Sequence, residues 1–143
     1  MIEFFLSMVP PTVTQQEHKV AVSRKTGQIR FYDPPELKAA RAQLMDSVGR
    51  YAPAAPIRGP VQLVTKWIWP ADRSRMQMMS ELDPDYHEWK TTKPDTDNLI
   101  KMLKDCMTRT GFWLDDAQVA SEVTEKFLAY RPGIYVRVTE LDT

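Results

Sequence analysis

The chain reads as an α+β domain, a mixed β-sheet with two main helices packed on it, in a single domain spanning residues 1–143. Three observations predict this. Several stretches have the alternating, β-branched and aromatic composition of strands, and two longer ones repeat apolar residues at helical spacing. Their order is β–ββ–α–β–loop–α–β–β, which gives a mixed sheet with the helices on one face. Finally, 143 residues with 43% hydrophobic and 27% charged content suit one ordinary globular core.

Residues 2–8, Ile-Glu-Phe-Phe-Leu-Ser-Met, read as a mostly buried strand that ends at Pro10-Pro11. Residues 18–32 have the form of a hairpin with its turn at Lys25-Thr26-Gly27. No acid lies between His18 and Arg30, whereas Lys19, Arg24, Lys25 and Arg30 are all cationic. The segment is either a solvated hairpin tip or a finger that contacts phosphates. Asp33 is positioned to cap a helix whose first turn tolerates the following prolines. Leu37, Ala40, Leu44, Met45 and Val48 carry that helix to about Tyr51. A proline-rich connector follows, then a strand over 61–69 closed by Pro70.

Residues 71–92 are irregular in pattern. They hold Arg73, Arg75, the methionines Met76, Met78 and Met79, and an acidic patch of Glu81, Asp83, Asp85 and Glu88 around His87. The patch reads as scattered surface acids in preference to a metal site. The methionines either pack a small helix or line an adaptable contact surface. Residues 118–129 and 133–140 read as two strands joined by a turn at Tyr130-Arg131-Pro132-Gly133, with Ile134, Val136 and Val138 on the packing face. Lys126, Arg131 and Arg137 are either surface charge or part of a phosphate-binding surface.

The chemistry concentrates at Lys93-Pro94-Asp95-Thr96-Asp97-Asn98-Leu99-Ile100-Lys101. A helix is predicted from about Asp97 to Thr110, with Leu99, Leu103 and Cys106 on its apolar face and Gly111 at its end. Asp97 and Lys101 are four residues apart and share a face. A second acidic pair, Asp115-Asp116, follows the apolar run Gly111-Phe112-Trp113-Leu114. Helix capping plus a surface turn accounts for one aspartate. A hard divalent cation accounts for more of the acids together, since Mg²⁺ takes oxygen ligands and often only a few carboxylates. An EF-hand loop is excluded, because the chain turns apolar where that loop needs glycine and more oxygens.

Composition narrows the setting. No apolar run approaches a membrane span, residues 1–9 lack the flanks of a signal peptide, and the single Cys106 suits a buried thiol in a reducing cytosol. The net charge of zero is uneven: residues 1–58 carry an excess of three cations and residues 95–143 an excess of three acids. Whole-chain charge is therefore a poor guide to nucleic-acid binding, since a bound cation would cancel much of the acidic excess.

The two motifs, Lys93-Pro94-Asp95-x-Asp97-Asn98-Leu99-x-Lys101 and Gly111-Phe112-Trp113-Leu114-Asp115-Asp116-Ala117-Gln118-Val119, together resemble the signature of RusA-type Holliday junction resolvases. The resemblance is dense between Lys93 and Val119 and looser over most of the chain. It implies a small, cytoplasmic, often phage- or prophage-borne endodeoxyribonuclease of DNA recombination and repair. Such an enzyme acts as a homodimer on branched four-way DNA with Mg²⁺ as cofactor. Asp95, Asp97 and Asp116 would be the catalytic, metal-binding carboxylates and Lys101 the catalytic lysine, with Asn98 in support. Asp115 is the ambiguous neighbour. Lys19, Arg24, Lys25, Arg30, Lys104 and Arg131 are the candidate DNA contacts. Two readings without catalysis stand beside this: a junction-binding module with a structural cation, and a phage protein that binds a host partner.

Overall fold

Strand β4 (Val61–Pro70) fixes the architecture, because its alternate residues Val61, Leu63, Thr65, Trp67 and Trp69 are all buried. A computed structural model describes residues 1–14, 19–32 and 34–142, with the backbone alone of 19, 20 and 30–32. β4 is the middle strand of five, in the order β1 (Ile2–Leu6), β7 (Gly133–Glu140), β4, β6 (Val119–Ala129), β5 (Glu88–Trp89). β4 pairs with β6 in parallel and with β7 antiparallel, so the sheet is mixed. Register aligns Leu63 with Val138, Thr65 with Val136 and Trp67 with Ile134, which puts one apolar row across both strands. The Trp67 indole donates to Thr65 Oγ1 at 2.9 Å, so the polar groups buried in that row satisfy each other.

Helix α1 (Pro35–Gly49) contributes Leu37, Leu44 and Val48 to the core, and a third helix contributes Leu99, Ile100, Met102, Leu103, Cys106 and Met107. That helix, α3 (Thr96–Thr110), agrees with the predicted bounds to one residue. Gly111 ends it at φ +94, a conformation glycine adopts without a Cβ penalty. The expected hairpin forms as β2 (Lys19–Val22) and β3 (Ile29–Tyr32), a separate two-stranded sheet with Gly27 at positive φ in the turn. Asp33, the expected cap of α1, lies outside the described residues; the helix is entered from an extended Pro34.

The irregular stretch holds the small helix that is one of the two readings of its methionines. This is helix α2 (Arg73–Leu82), capped by Asp72, whose carboxylate accepts the Arg75 amide at 3.0 Å. Only Met76 of its residues is buried, so no apolar stripe advertises the helix in sequence. Arg75 grips Glu88 through both terminal nitrogens, at 2.5 and 2.8 Å, which ties α2 to strand β5. Hydrogen bonds from Arg75 and from the Tyr86 hydroxyl hold the Glu88 carboxyl down to about 2. The end of α2 and the residues after it face Lys66, Ile68, Phe127 and Ala129 across a cavity of about 550 Å³. These strand residues alternate with those facing α1 and α3, so the helices are divided between the two faces of the sheet.

Gly133 opens β7 against the end of β1. A Cβ there would run into the Phe5 ring and come within 2.8 Å of the Leu6 carbonyl oxygen. Gly133→Ala is expected to cost about 1–3 kcal/mol, the usual range for forced overpacking. Urea unfolding measures this, and an unchanged midpoint would mean that β1 and β7 approach less closely.

Candidate functional site

The entry to α3 carries two carboxylates that no described residue holds. Asp95 is the N-cap residue by position, yet its side chain makes no capping hydrogen bond. Its backbone oxygen accepts Leu99 N–H at 3.1 Å, so the helix starts without using the carboxylate. Asp97 is exposed in the first turn. Lys101 is exposed one turn further on. Among the described residues, none of these three side chains has a hydrogen bond or ion pair. Capping therefore does not explain Asp95.

Asp95, Asp97 and Asn98 line a recess of about 380 Å³ with Lys93, Pro94, Thr12 and Thr14. The Lys93–Pro94 peptide bond is cis. Pattern reading missed Thr12 and Thr14, because they follow the first strand by several residues and have no periodic signal. They are brought in by Trp69 at the end of β4, whose indole donates to the Pro10 carbonyl at 3.1 Å. The recess thus offers carboxylate, amide and hydroxyl oxygens, a donor set that suits a hard cation.

Asp116 stands elsewhere. The backbone of Ile57, just before β4, donates to the Phe112 carbonyl at 2.9 Å, at the far end of α3. From there β6 runs back along the helix: Glu122 pairs with Lys104 at 2.9 Å, and Lys126 reaches the carbonyls of Thr92 and Pro94. Asp116 precedes β6 in a short 3-10 turn (Asp116–Gln118) and so lies at the opposite end of α3 from Asp95 and Asp97. Fifteen helical residues span about 22 Å at 1.5 Å each. Consistent with that, no group of three His, Cys, Asp or Glu side chains able to hold a metal occurs among the described residues.

The acidic pair has divided duties. Asp115 accepts the Ala117 amide at 2.8 Å and forms a capping box with Gln118. The Gln118 side chain in turn accepts the Leu114 and Asp115 amides and donates to the carbonyls of Ile57 and Gly59. Asp115 is therefore a turn former. Asp116 is exposed, and its carboxylate has no partner among the described residues.

The other candidates sort as follows. Arg24 and Lys25 are exposed at the turn between β2 and β3, and Arg131 is exposed after β6. The side chains of Lys19 and Arg30 lie outside the described residues. Lys104 is half-buried and engaged with Glu122, so it is no open phosphate contact. Lys126 is likewise committed, donating to Thr92 and Pro94 at 2.7 and 2.8 Å. The acidic patch around His87 holds no metal cluster among the described residues: Glu88 belongs to Arg75, and Asp83 accepts the Asp85 amide.

The family model described as Endodeoxyribonuclease RusA matches residues 9–139. The chain belongs to the RusA endodeoxyribonuclease family. A relative from Lactococcus phage r1t, named "Crossover junction endodeoxyribonuclease rusA", is 26% identical over 141 residues, covering 97% of this chain and 96% of the phage protein. The Bacillus subtilis (strain 168) protein "Uncharacterized protein YqaN" is 26% identical over 121 residues, 83% of this chain and 84% of its own length. The RusA match spans both α3 and the Asp115-Asp116 turn, so the recess and the distant acid lie within one family unit.

The two neighbouring aspartates should separate cleanly by stability. Asp115→Ala is expected to cost about 1 kcal/mol, the typical value of a lost cap, whereas Asp116→Ala should leave unfolding in EDTA unchanged. Chemical denaturation of both variants tests this, and equal losses would contradict the division.

Proposed function

We propose that the chain is a Mg²⁺-dependent, structure-selective endodeoxyribonuclease that resolves four-way DNA junctions by paired phosphodiester hydrolysis. It would serve DNA recombination and repair in the cytoplasm, in a phage or prophage setting. The observation that carries this is the pair of carboxylates, Asp95 and Asp97, in an oxygen-lined recess with Lys101 one turn on from Asp97, all three without a partner among the described residues. Family membership and the name of the phage relative support it.

Asp95 and Asp97 would hold the cation, with Asn98 keeping the recess polar. When bound, Mg²⁺ supplies a more acidic water and a polarised phosphoryl oxygen. Lys101, exposed on the same helix face as Asp97, would contact a phosphate oxygen and offset charge that grows in the transition state. Its lack of an ion pair with Asp97 leaves it available for that contact. Arg24, Lys25 and Arg131 would hold the DNA backbone outside the recess.

Two carboxylates from one chain leave Asp116 without a role, and a homodimer gives it one. A two-fold axis that sets α3 of two chains side by side and antiparallel would bring the Asp116 end of one to the Asp95 end of the other. Asp116 would then complete the partner's site, and the pair of sites would match the two strands of a two-fold symmetric junction. The reading as a junction-binding module without catalysis draws on the same fact, because among the described residues a lone chain gathers two carboxylates at the recess. Cleavage decides between them.

Purified protein should cut a synthetic four-way junction in Mg²⁺ well before a linear duplex of the same sequence, and not in EDTA. Asp95→Asn, Asp97→Asn and Asp116→Asn should each abolish cleavage while junction binding in gel shift stays intact or tightens. Lys101→Ala should lose about 10²–10³ in rate, the range for one transition-state charge stabiliser. Any two of the Asn variants cutting within roughly tenfold of wild type would remove the assignment, since such groups carry far more than that.

A further inference from the structure

We propose that Lys126 is the positioning residue of this site: its ammonium holds the backbone that presents Asp95 and Asp97. The proposal rests on reading the recess as the catalytic centre. Lys126 Nζ donates to the carbonyl oxygens of Thr92 and Pro94, at 2.7 and 2.8 Å. Pro94 directly precedes Asp95, and both line the recess.

Lys126 lies in the row of β6 that faces α3. It is in register with Trp67, which is fully buried, and the same row holds Glu122, which answers Lys104. Among the described residues Lys126 has no such acid. A half-buried ammonium needs oxygen partners, and here two backbone carbonyls supply them as charge-assisted bonds. The segment it grips has no helix or strand of its own between β5 and α3. Its remaining ties come from the same strand ends. Lys90 N–H donates to the Lys126 carbonyl at 3.0 Å, and Lys90 Nζ reaches Thr92 Oγ1 at 2.7 Å while standing over the Trp69 ring. Trp69 in turn holds Pro10. Both walls of the recess are therefore moored to the ends of β4 and β6. Lys126 is the link nearest the carboxylates. With two of its three protons on the backbone, it sets the position of Asp95 and does not act on the substrate.

The test uses full-length protein with Lys126→Met and Lys126→Cys, and with Lys66→Met as control. Lys66 stands over Tyr135 on the opposite face of the sheet. Lys126→Met should lower kcat for junction cleavage about 100-fold, the scale of a small misplacement of reacting groups. KM should stay within about threefold, because misplacement affects the chemical step more than binding. Alkylating Lys126→Cys with bromoethylamine rebuilds an ammonium of similar length and should restore roughly tenfold or more of that loss. Iodoacetamide should restore none. The native Cys106 stays unmodified in the folded protein, being buried with its thiol pushed up to about 11. Amide hydrogen exchange at Leu99, whose N–H is held by the Asp95 carbonyl, should quicken in Lys126→Met and not in Lys66→Met.

Wild-type cleavage and unchanged exchange in Lys126→Met would overturn the proposal. So would a loss that follows global unfolding and is not recovered by aminoethylation, since that marks a merely structural lysine. If Lys126→Met fails to fold, the two alkylated forms of Lys126→Cys decide by the same exchange measurement. If wild-type protein does not cut junctions at all, the functional reading falls, while the exchange data still decide whether Lys126 tethers the segment.

Discussion

Helix α3 runs antiparallel to β6, and this one arrangement decides where each charged group of the candidate site stands. It follows from packing. The apolar face of α3 buries six residues against the sheet and α1, and Gly111 then turns the chain so that Phe112 and Trp113 close the far end. The Trp113 indole donates to Thr108 Oγ1 at 2.8 Å, which fixes that closure. Once α3 lies along the sheet in this sense, its N-terminus must meet the ends of β4 and β6, and the Asp115-Asp116 turn must meet their beginnings.

The same arrangement explains why neighbouring cations take different roles. Lys101 is exposed on α3 and has no hydrogen bond or ion pair among the described residues. Lys104 lies over β6 and is claimed by Glu122. Lys126, on the strand below, is claimed by the carbonyls that lead into Asp95. Charge counting treats these lysines as equivalent, and the geometry leaves only the first open to a phosphate. The acids divide in the same way: Asp115 is spent on its own turn, while Asp95, Asp97 and Asp116 keep their carboxylates.

Much of this was legible in the sequence, because much of it is periodic. The long strands and α3 carry apolar repeats that only one fold direction buries, and the glycine after α3 marks its end. The motif spacing drew attention to Asp95, Asp97, Lys101 and the Asp115-Asp116 pair, and the resemblance chose Asp116 of that pair. What escaped was non-periodic or long-range. Helix α2 buries only Met76, so with no stripe to read the sequence left a small helix and a contact surface as open alternatives. Thr12 and Thr14 reach the recess only because Trp69 holds Pro10. Sequence proximity also misled: Asp116 follows α3 closely in the chain, and that nearness hides the length of a whole helix in space. Asp115 stayed ambiguous in sequence because its role is set by a 3-10 turn that it caps and Asp116 opens.

The central claim is that Asp95 and Asp97 of one chain work with Asp116 of another. Co-refolding Asp97→Asn chains with Asp116→Asn chains tests it directly, with cleavage of a four-way junction in Mg²⁺ as the readout. Neither parent should cut. A mixed dimer built across the two-fold axis contains one site with both substitutions and one with none, so the mixture should nick the junction. If the mixed dimers form, bind junction DNA and remain as inactive as their parents, the three carboxylates do not work across two chains and the account is wrong.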